Sequence, residues 1–416
     1  MNDRYDSGND FGSVRRLFRK IMRSGMVTGT LLVLVIAVLS AAYWEHGRGN
    51  LHKLKQKIAT DRPEAPTYRP GGQDAILLTR TRLMGDSAPE FTSVTLLPGR
   101  GMNVLQITAF IPGHGEVGLL DAPSVKEAST RMTGTGEDAG GAASLAMGGA
   151  FEAPWAGHLM EGTHDPPSWR GRGLPLGTKQ GEGGLLLAQA AVDSDVSAMP
   201  DGGLAQASYD LTSDATQWPS KARITVRVLL SSRSIDLSMT ARNTGDTAEP
   251  VGLGWRPRFV FQGDRTHVRL RLPADTRLVT GQDGSPTGAV VPVTGSPYDF
   301  TSRQGVSLGS LALNDCFTGL RQDLLDSGPV AEVSYPSEEL GLRLTSLTPS
   351  VKTMQVIAPA DAHYLILEPR TNFPDPFGRE WAKSGDTAIA VLQPGQTVEW
   401  KVRLEVFTPS GDGRTR

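Results

Sequence analysis

The chain has 416 residues, a formal net charge of −2, 38% hydrophobic and 21% charged residues, which is an ordinary globular composition long enough for one large domain or two smaller ones. No broad basic field exists to hold nucleic acid, so that class of partner is excluded. A single cysteine, Cys316, rules out an intrachain disulfide and a cysteine-type zinc site and reads as a small core residue.

In chain order, the first 25 residues form a basic tail with Arg15, Arg16, Arg19, Lys20 and Arg23. Residues 26–44, MVTGTLLVLVIAVLSAAYW, carry no charge, and a helix rising about 1.5 Å per residue needs roughly 20 residues to cross a bilayer. Tyr43 and Trp44 stand at its far end, where aromatic rings favour the headgroup zone. A single-pass inner-membrane anchor is therefore expected, with a cytoplasmic N-terminus and an extracytoplasmic C-terminal part. Arg48, Lys53, Lys55 and Lys57 lie beyond the span and weaken the charge bias. Cleavage of a signal peptide after Ser40-x-Ala42 is the alternative.

Residues 45–75 read as a juxtamembrane linker, with a short basic helical pattern at Leu51–Ile58 broken by Pro63, Pro66, Pro70, Gly71 and Gly72. From residue 76 to about 410 the pattern is strand-like, followed by a short tail, 411–416. Ile224, Val226 and Val228 alternate with Thr225 and Arg227, and the alternation resumes after Ser231–Ser234 with Ile235, Leu237 and Met239: two half-buried strands joined by a tight turn. His267–Leu272, Thr387–Leu392 and Val398–Phe407 repeat it. Residues 126–149, rich in Gly, Ala, Ser and Thr, read as a mobile loop inserted between strands. With no long helical block, the prediction is all-β: one large β-sandwich after a transmembrane helix.

Four segments, in order, resemble the aldose 1-epimerase (galactose mutarotase-like) family. Pro154-Trp155-Ala156-Gly157-His158-Leu159 is similar to its P-[WYF]-A/P-N-R-I loop. Asn243-Thr244-Gly245-Asp246 and Gly254-Trp255-Arg256-Pro257-Arg258-Phe259 are similar to N-x-G-D and G-x-H-P-Y-F. Leu272-Pro273-Ala274, Pro286-Thr287-Gly288, Asp299-Phe300 and Leu313-Asn314-Asp315-Cys316-Phe317-Thr318-Gly319-Leu320 form the third, the last resembling L-D-x-x-F-T-G-L. Leu367-Glu368-Pro369-Arg370-Thr371, Pro376-Phe377 and Leu392-Gln393-Pro394-Gly395-Gln396 resemble the E-P-x-t to L-x-P-G-E ending. The resemblance covers about residues 80–408 and implies a β-supersandwich.

It also implies a chemistry. Mutarotation opens a pyranose ring by removing the anomeric hydroxyl proton while an acid protonates the ring oxygen. In the family a glutamate of the E-P segment is the base and a histidine of H-P-Y-F the acid; a second histidine, an arginine and an aspartate hold the sugar. Carried onto this chain, the base falls on Glu368 and the acid's place is taken by Arg256, whose guanidinium stays protonated and can only polarise an oxygen as a fixed donor. The loop arginine falls on His158, a candidate relocated acid; the second histidine on Gly183-Gly184-Leu185; the aspartate on Asn314, beside Asp315. The catalytic candidates are thus Glu368, Arg256 and His158, and the sugar-binding candidates Trp155, Trp255, Asn314, Asp315 and Arg370, with Trp169 and Arg258 as further possibilities. Each tryptophan reads equally well as core. His267 and His363 read as structural. No metal or organic cofactor is implied, and no P-loop, dinucleotide fingerprint or nucleophile elbow occurs. The expected partners are a carbohydrate and, through residues 26–44, a lipid bilayer. The functional expectation is a sugar binder able to interconvert anomers; the alternative is a non-catalytic carbohydrate-binding or envelope-assembly protein on the same scaffold.

Overall fold

A computed structural model describes residues 68–82, 88–159, 168–174, 181–211, 218–281, 285–322, 327–381 and 386–409. The anchor expected at 26–44, the basic tail and the greater part of the linker lie outside the described residues. Among the described residues no helix is long and apolar enough to cross a membrane.

From Tyr68 onward the chain forms one compact unit. Two antiparallel sheets, of eleven and nine strands, face each other across a continuous apolar core. The expected hairpin is present as Ala222–Leu230 and Ser234–Asn243, paired from Ala222 opposite Asn243 to Leu230 opposite Ile235. Ile224, Val226, Val228, Ile235, Leu237 and Met239 are fully buried. Each such side chain contributes about 1.5–3 kcal/mol relative to exposure, which is why alternation alone fixes which face turns inward. On the outer face of the same sheet, Asp236 pairs with Arg403 at 2.6 Å.

Three sequence expectations change. Residues 126–149 are structured rather than a mobile loop: Val125–Arg131 is a helix started by a Ser124–Glu127 capping box, and Ala142–Leu145 is a single further turn. The segment is pinned by buried Asp138, which ion-pairs with buried Arg100 and accepts from the N–H groups of Gly134 and Ala143 at 2.8 and 3.0 Å. Tyr68–Gly72, assigned to the linker, belongs to the folded unit: the Pro70–Gly72 turn sits on Gly99 so closely that a Cβ on Gly71 would meet the Gly99 carbonyl at 1.9 Å. His267, read within a strand, lies exposed on a turn, Arg265–His267, before the strand Arg269–Arg271, and His363 lies largely exposed just before the strand Tyr364–Arg370, beside Asp121 (3.3 Å). Cys316 is buried as expected, and burial pushes its thiol up to about 12.

Candidate functional site

Five strands of the eleven-stranded sheet lie side by side: Gly149–Glu152, Gly254–Val260, Tyr364–Arg370, Thr353–Ala358 and Leu313–Leu320. Their register sorts the side chains. Trp255 lies opposite Phe151, and both point into the core with Phe259, Leu365, Leu367, Met354 and Val356. The alternate residues point out of the core. Gly254 lies opposite both Glu152 and Arg370, Arg256 opposite Ala150, Glu368 opposite Gln355, and Gln355 opposite Cys316. A period of two therefore gathers Glu152, Arg256, Gln355, Glu368 and Arg370 on one face.

This face carries a buried charge network. Glu368 is fully buried, and both its oxygens are engaged by Arg370, Nε to Oε1 and Nη2 to Oε2 at 2.7 Å. Arg256 Nη1 stands 3.5 Å from Glu368 Oε2 and 3.0 Å from Glu182 Oε1. Burial alone would raise the Glu368 carboxyl, but the Arg370 charge, a hydrogen bond from Glu152 and Arg256 outweigh it and hold Glu368 down to about 2. Glu152, also fully buried, goes the other way. Burial and the adjacent Glu368 charge raise it well above the usual carboxylate range. Its Oε2 accepts from the Gly157 N–H at 3.0 Å, while Oε1 accepts from no donor among the described residues. A proton on Glu152 turns the repulsion between the two carboxyls into a hydrogen bond.

The loop that carries His158 is bolted to this network. Asn372 accepts from the Ala156 N–H (3.2 Å) and donates to the Ala156 carbonyl (2.9 Å). Gly157 has φ of 79°, and a Cβ there would stand 2.5 Å from Arg370 Nη1, so only glycine permits the close approach. Gly183, where the resemblance puts the missing second histidine, hydrogen-bonds to the Gly157 carbonyl (2.9 Å). A Cβ on it would lie 3.0 Å from Glu152 Oε1.

Above the network opens a cavity of about 490 Å³, lined among others by Glu137, His158, Glu182 and Arg256. That size suits a small polar ligand. Glu368 is not among its lining residues, whereas Arg256, 3.5 Å from Glu368, is. The structure thus brings His158 and Arg256 to one cavity, with Glu368 and Arg370 behind it. Asn314 lies on the same sheet face and accepts from Gln355 Nε2 at 2.9 Å. Asp315 points to the other face, where it binds Arg277 at 2.7 Å, so it does not join the site. Trp155 and Trp255 are fully buried and offer no face to a ligand. Trp155 stacks on Trp218 with centroids 5.1 Å apart, and the Trp255 indole N–H donates to the Gly149 carbonyl at 3.1 Å. Arg258, a further candidate, pairs with Asp121 at 2.9 Å and lies over Tyr364. Sequence reasoning missed Glu152, Glu182, Glu137, Gln355 and Asn372. Only Glu152 left a signal, as a lone carboxylate in the apolar run Gly149–Trp155.

The family model described as aldose 1-epimerase matches residues 195–405, a stretch that contains Arg256, Asn314 and Glu368. The chain belongs to the aldose 1-epimerase family. No curated protein matches it in sequence. Among solved structures it is similar to a galactose mutarotase-like protein from Clostridium acetobutylicum, 14% identical, over 80% of this chain and 98% of that one, with a TM-score of 0.60. It is similar to a putative aldose 1-epimerase from Escherichia coli K12, 16% identical over 79% and 99% of the chains, TM-score 0.53. A galactose 1-epimerase from Lactobacillus acidophilus is 14% identical over 81% and 99%, TM-score 0.54. At these identities the likeness carries the fold alone.

Proposed function

We propose that this chain is a carbohydrate-binding member of the aldose 1-epimerase family in which Glu368 serves as a buried counter-ion rather than as the base of anomer interconversion. The observation that carries the reading is the full burial of Glu368, with both oxygens held by Arg370 and Arg256 a further 3.5 Å away, while Glu368 itself does not line the cavity. A carboxylate held near 2 binds a proton too weakly to accept one from a sugar hydroxyl near neutral pH. The sugar would sit in the cavity against Arg256, Glu182, Glu137 and His158, whose polar side chains suit hydroxyl recognition. The test follows freshly dissolved α-glucose and α-galactose by polarimetry with the full-length protein, alongside sugar binding by titration calorimetry. Binding that is weakened by Arg256→Ala, without acceleration of mutarotation, is the expected result. Acceleration that disappears in Glu368→Gln refutes the counter-ion role.

A second reading rests on a separate observation: His158 and Glu182 both line the cavity and are backbone partners in an isolated antiparallel bridge. As a proton-transfer pair they would support mutarotation that survives Glu368→Gln and is lost in His158→Ala. We further propose that residues 26–44 anchor the chain in the inner membrane, with the sandwich on the extracytoplasmic side. Carbonate-resistant sedimentation of the full chain, and digestion of the sandwich by protease added outside, check this. Release by carbonate overturns it.

A further inference from the structure

We propose that a two-stranded ribbon, Glu249–Val251 with Ala390–Leu392, is a proton-controlled strap on the loop that carries His158: it holds that loop while Glu249 is protonated and releases it when Glu249 ionises. This role, a regulation of the cavity, rests on the reading of that cavity as the sugar site. The ribbon belongs to neither large sheet. Glu249 lies opposite Leu392 and shares a face with Val251, and both of these belong to the apolar core. Glu249 is fully buried, and neither of its oxygens has a hydrogen-bond partner among the described residues. Protonated, it leaves a polar group unpaired; ionised, it leaves a bare charge in the core, which costs far more. No described charge offsets this. The partner strand and the adjoining residues 154–156 and 371–373 carry no titratable side chain. Glu152 and Arg370, which flank those residues, are engaged with Glu368. Lys221, Asp246 and Asp386, on the turns around the ribbon, are exposed, and burial is the cause that pushes Glu249 up to about 8.

Hydrogen bonds tie the ribbon to the His158 loop. The Gly252 N–H donates to the Pro154 carbonyl at 2.6 Å, where that loop begins. The Leu253 N–H donates to Thr371 Oγ1 at 2.8 Å, and the Leu253 carbonyl accepts from the Thr371 N–H at 2.9 Å. Thr371 precedes Asn372, whose amide holds Ala156. On the other strand's side, the Thr387 carbonyl accepts from the Phe373 N–H at 2.9 Å. The fit is close: a Cβ on Gly252 would stand 2.1 Å from Asn372 Oδ1 and 3.1 Å from Ile389. A ribbon that opens gives up the bonds to Pro154, Thr371 and Phe373 together. One proton sets how readily it opens. Closed, Glu249 keeps its proton up to about 8; open to water, it ionises near the ordinary 4.5. Between those values the open state binds fewer protons, so the opening constant rises about tenfold per pH unit. It is flat below 4.5 and levels off above about 8.

Hydrogen–deuterium exchange of the full-length protein at pH 5, 6 and 7, corrected for intrinsic exchange rates, measures the opening constant peptide by peptide. Peptides covering residues 249–253, 387–392 and 153–158 lose protection together, about tenfold per pH unit, while those covering Ala222–Leu230 stay more protected. Glu249→Gln removes the pH dependence. Glu249→Met, which replaces the acid by an apolar side chain, does the same and covers the case in which glutamine does not fold. Saturating glucose or galactose slows exchange in the ribbon and the loop together, because a ligand of the closed form opposes opening. A wild-type opening constant independent of pH, or the same slope in both variants, overturns the proposal. So does a ribbon that exchanges only along with Ala222–Leu230 in global unfolding, or a sugar that binds by calorimetry and leaves ribbon exchange unchanged. If neither sugar binds at any pH, the sugar-site reading fails, while the pH profile of the loop and ribbon still decides whether the strap exists.

Discussion

Replacing Arg370 by methionine removes the guanidinium that holds both oxygens of Glu368 and leaves the carboxylate with Arg256 alone, 3.5 Å away, beside the Glu152 carboxyl. The cost follows from the titration of Glu368. Burial alone would raise it, and the Arg370 charge is the largest of the groups that instead hold it down to about 2, ahead of Glu152 and Arg256. Breaking a buried pair from one side costs about 3–5 kcal/mol. The unit from Tyr68 to Arg416 is large, and at about 2.1 cal/mol/K per residue its unfolding entropy is about 0.7 kcal/mol/K, so the melting temperature falls by about 4–7 °C. Because the folded-state pKa is depressed, this stability is present above pH 4.5 and is lost as pH falls through about 2. The gap between wild type and Arg370→Met therefore closes on acidification. Glu368→Gln/Arg370→Met recovers most of the loss at pH 7, since no buried charge is left unpaired. Urea titrations of the three proteins at pH 7, 5 and 3 measure all of this. A loss in Arg370→Met that is independent of pH, or no loss at pH 7, refutes the ion-pair reasoning.

Glu152 has the opposite sign. Its folded-state pKa is raised, so its contribution is complete at low pH and declines as pH rises above the ordinary 4.5. Glu152→Gln keeps a donor toward Glu368 and an acceptor for the Gly157 N–H, and is more stable than wild type above pH 4.5, by a margin that widens as pH rises, read from urea midpoints. Glu249 is fully buried, neither oxygen accepts a hydrogen bond among the described residues, and burial pushes it up to about 8. Wild type therefore sheds stability between pH 4.5 and 8, and Glu249→Gln flattens that slope in a thermal-unfolding pH series. Gly157→Ala combines a left-handed backbone penalty with displacement of Arg370, a cost of about 2–4 kcal/mol by chemical denaturation.

How much of this was legible in the sequence depended on whether the signal was local. Alternation in Ala222–Leu230 named the inward face correctly because burial rewards one register only. The same alternation sets Trp255 and Arg256 on opposite faces, so reading both as ligand-facing contradicted the strand's own period; only one could face the site, and Arg256 does. Asn314 and Asp315 repeat the lesson, with Asn314 on the Glu368 face and Asp315 turned to Arg277. Glu182 and Asn372 could not be read in this way, because their roles come from contacts across distant chain segments. The helix at Val125–Arg131 was overlooked although Ser124 and Glu127 carry the spacing of a capping box, hidden by the Gly- and Ala-rich stretch that follows.

Glu368 and Arg370 lie two residues apart on one strand, with Pro369 turned to the opposite side, where its carbonyl accepts from the Trp400 indole at 3.1 Å. The compensating charge therefore travels with the carboxylate: any event that lays down this strand delivers both members of the pair together, without waiting for a remote segment to dock. The electrostatic character of the pocket floor is in that sense encoded in a tripeptide. Exchange of the single residue at 370 would leave the buried acid to Arg256 alone while every strand kept its neighbours, so one position sets how strongly the charge beneath the cavity is neutralised.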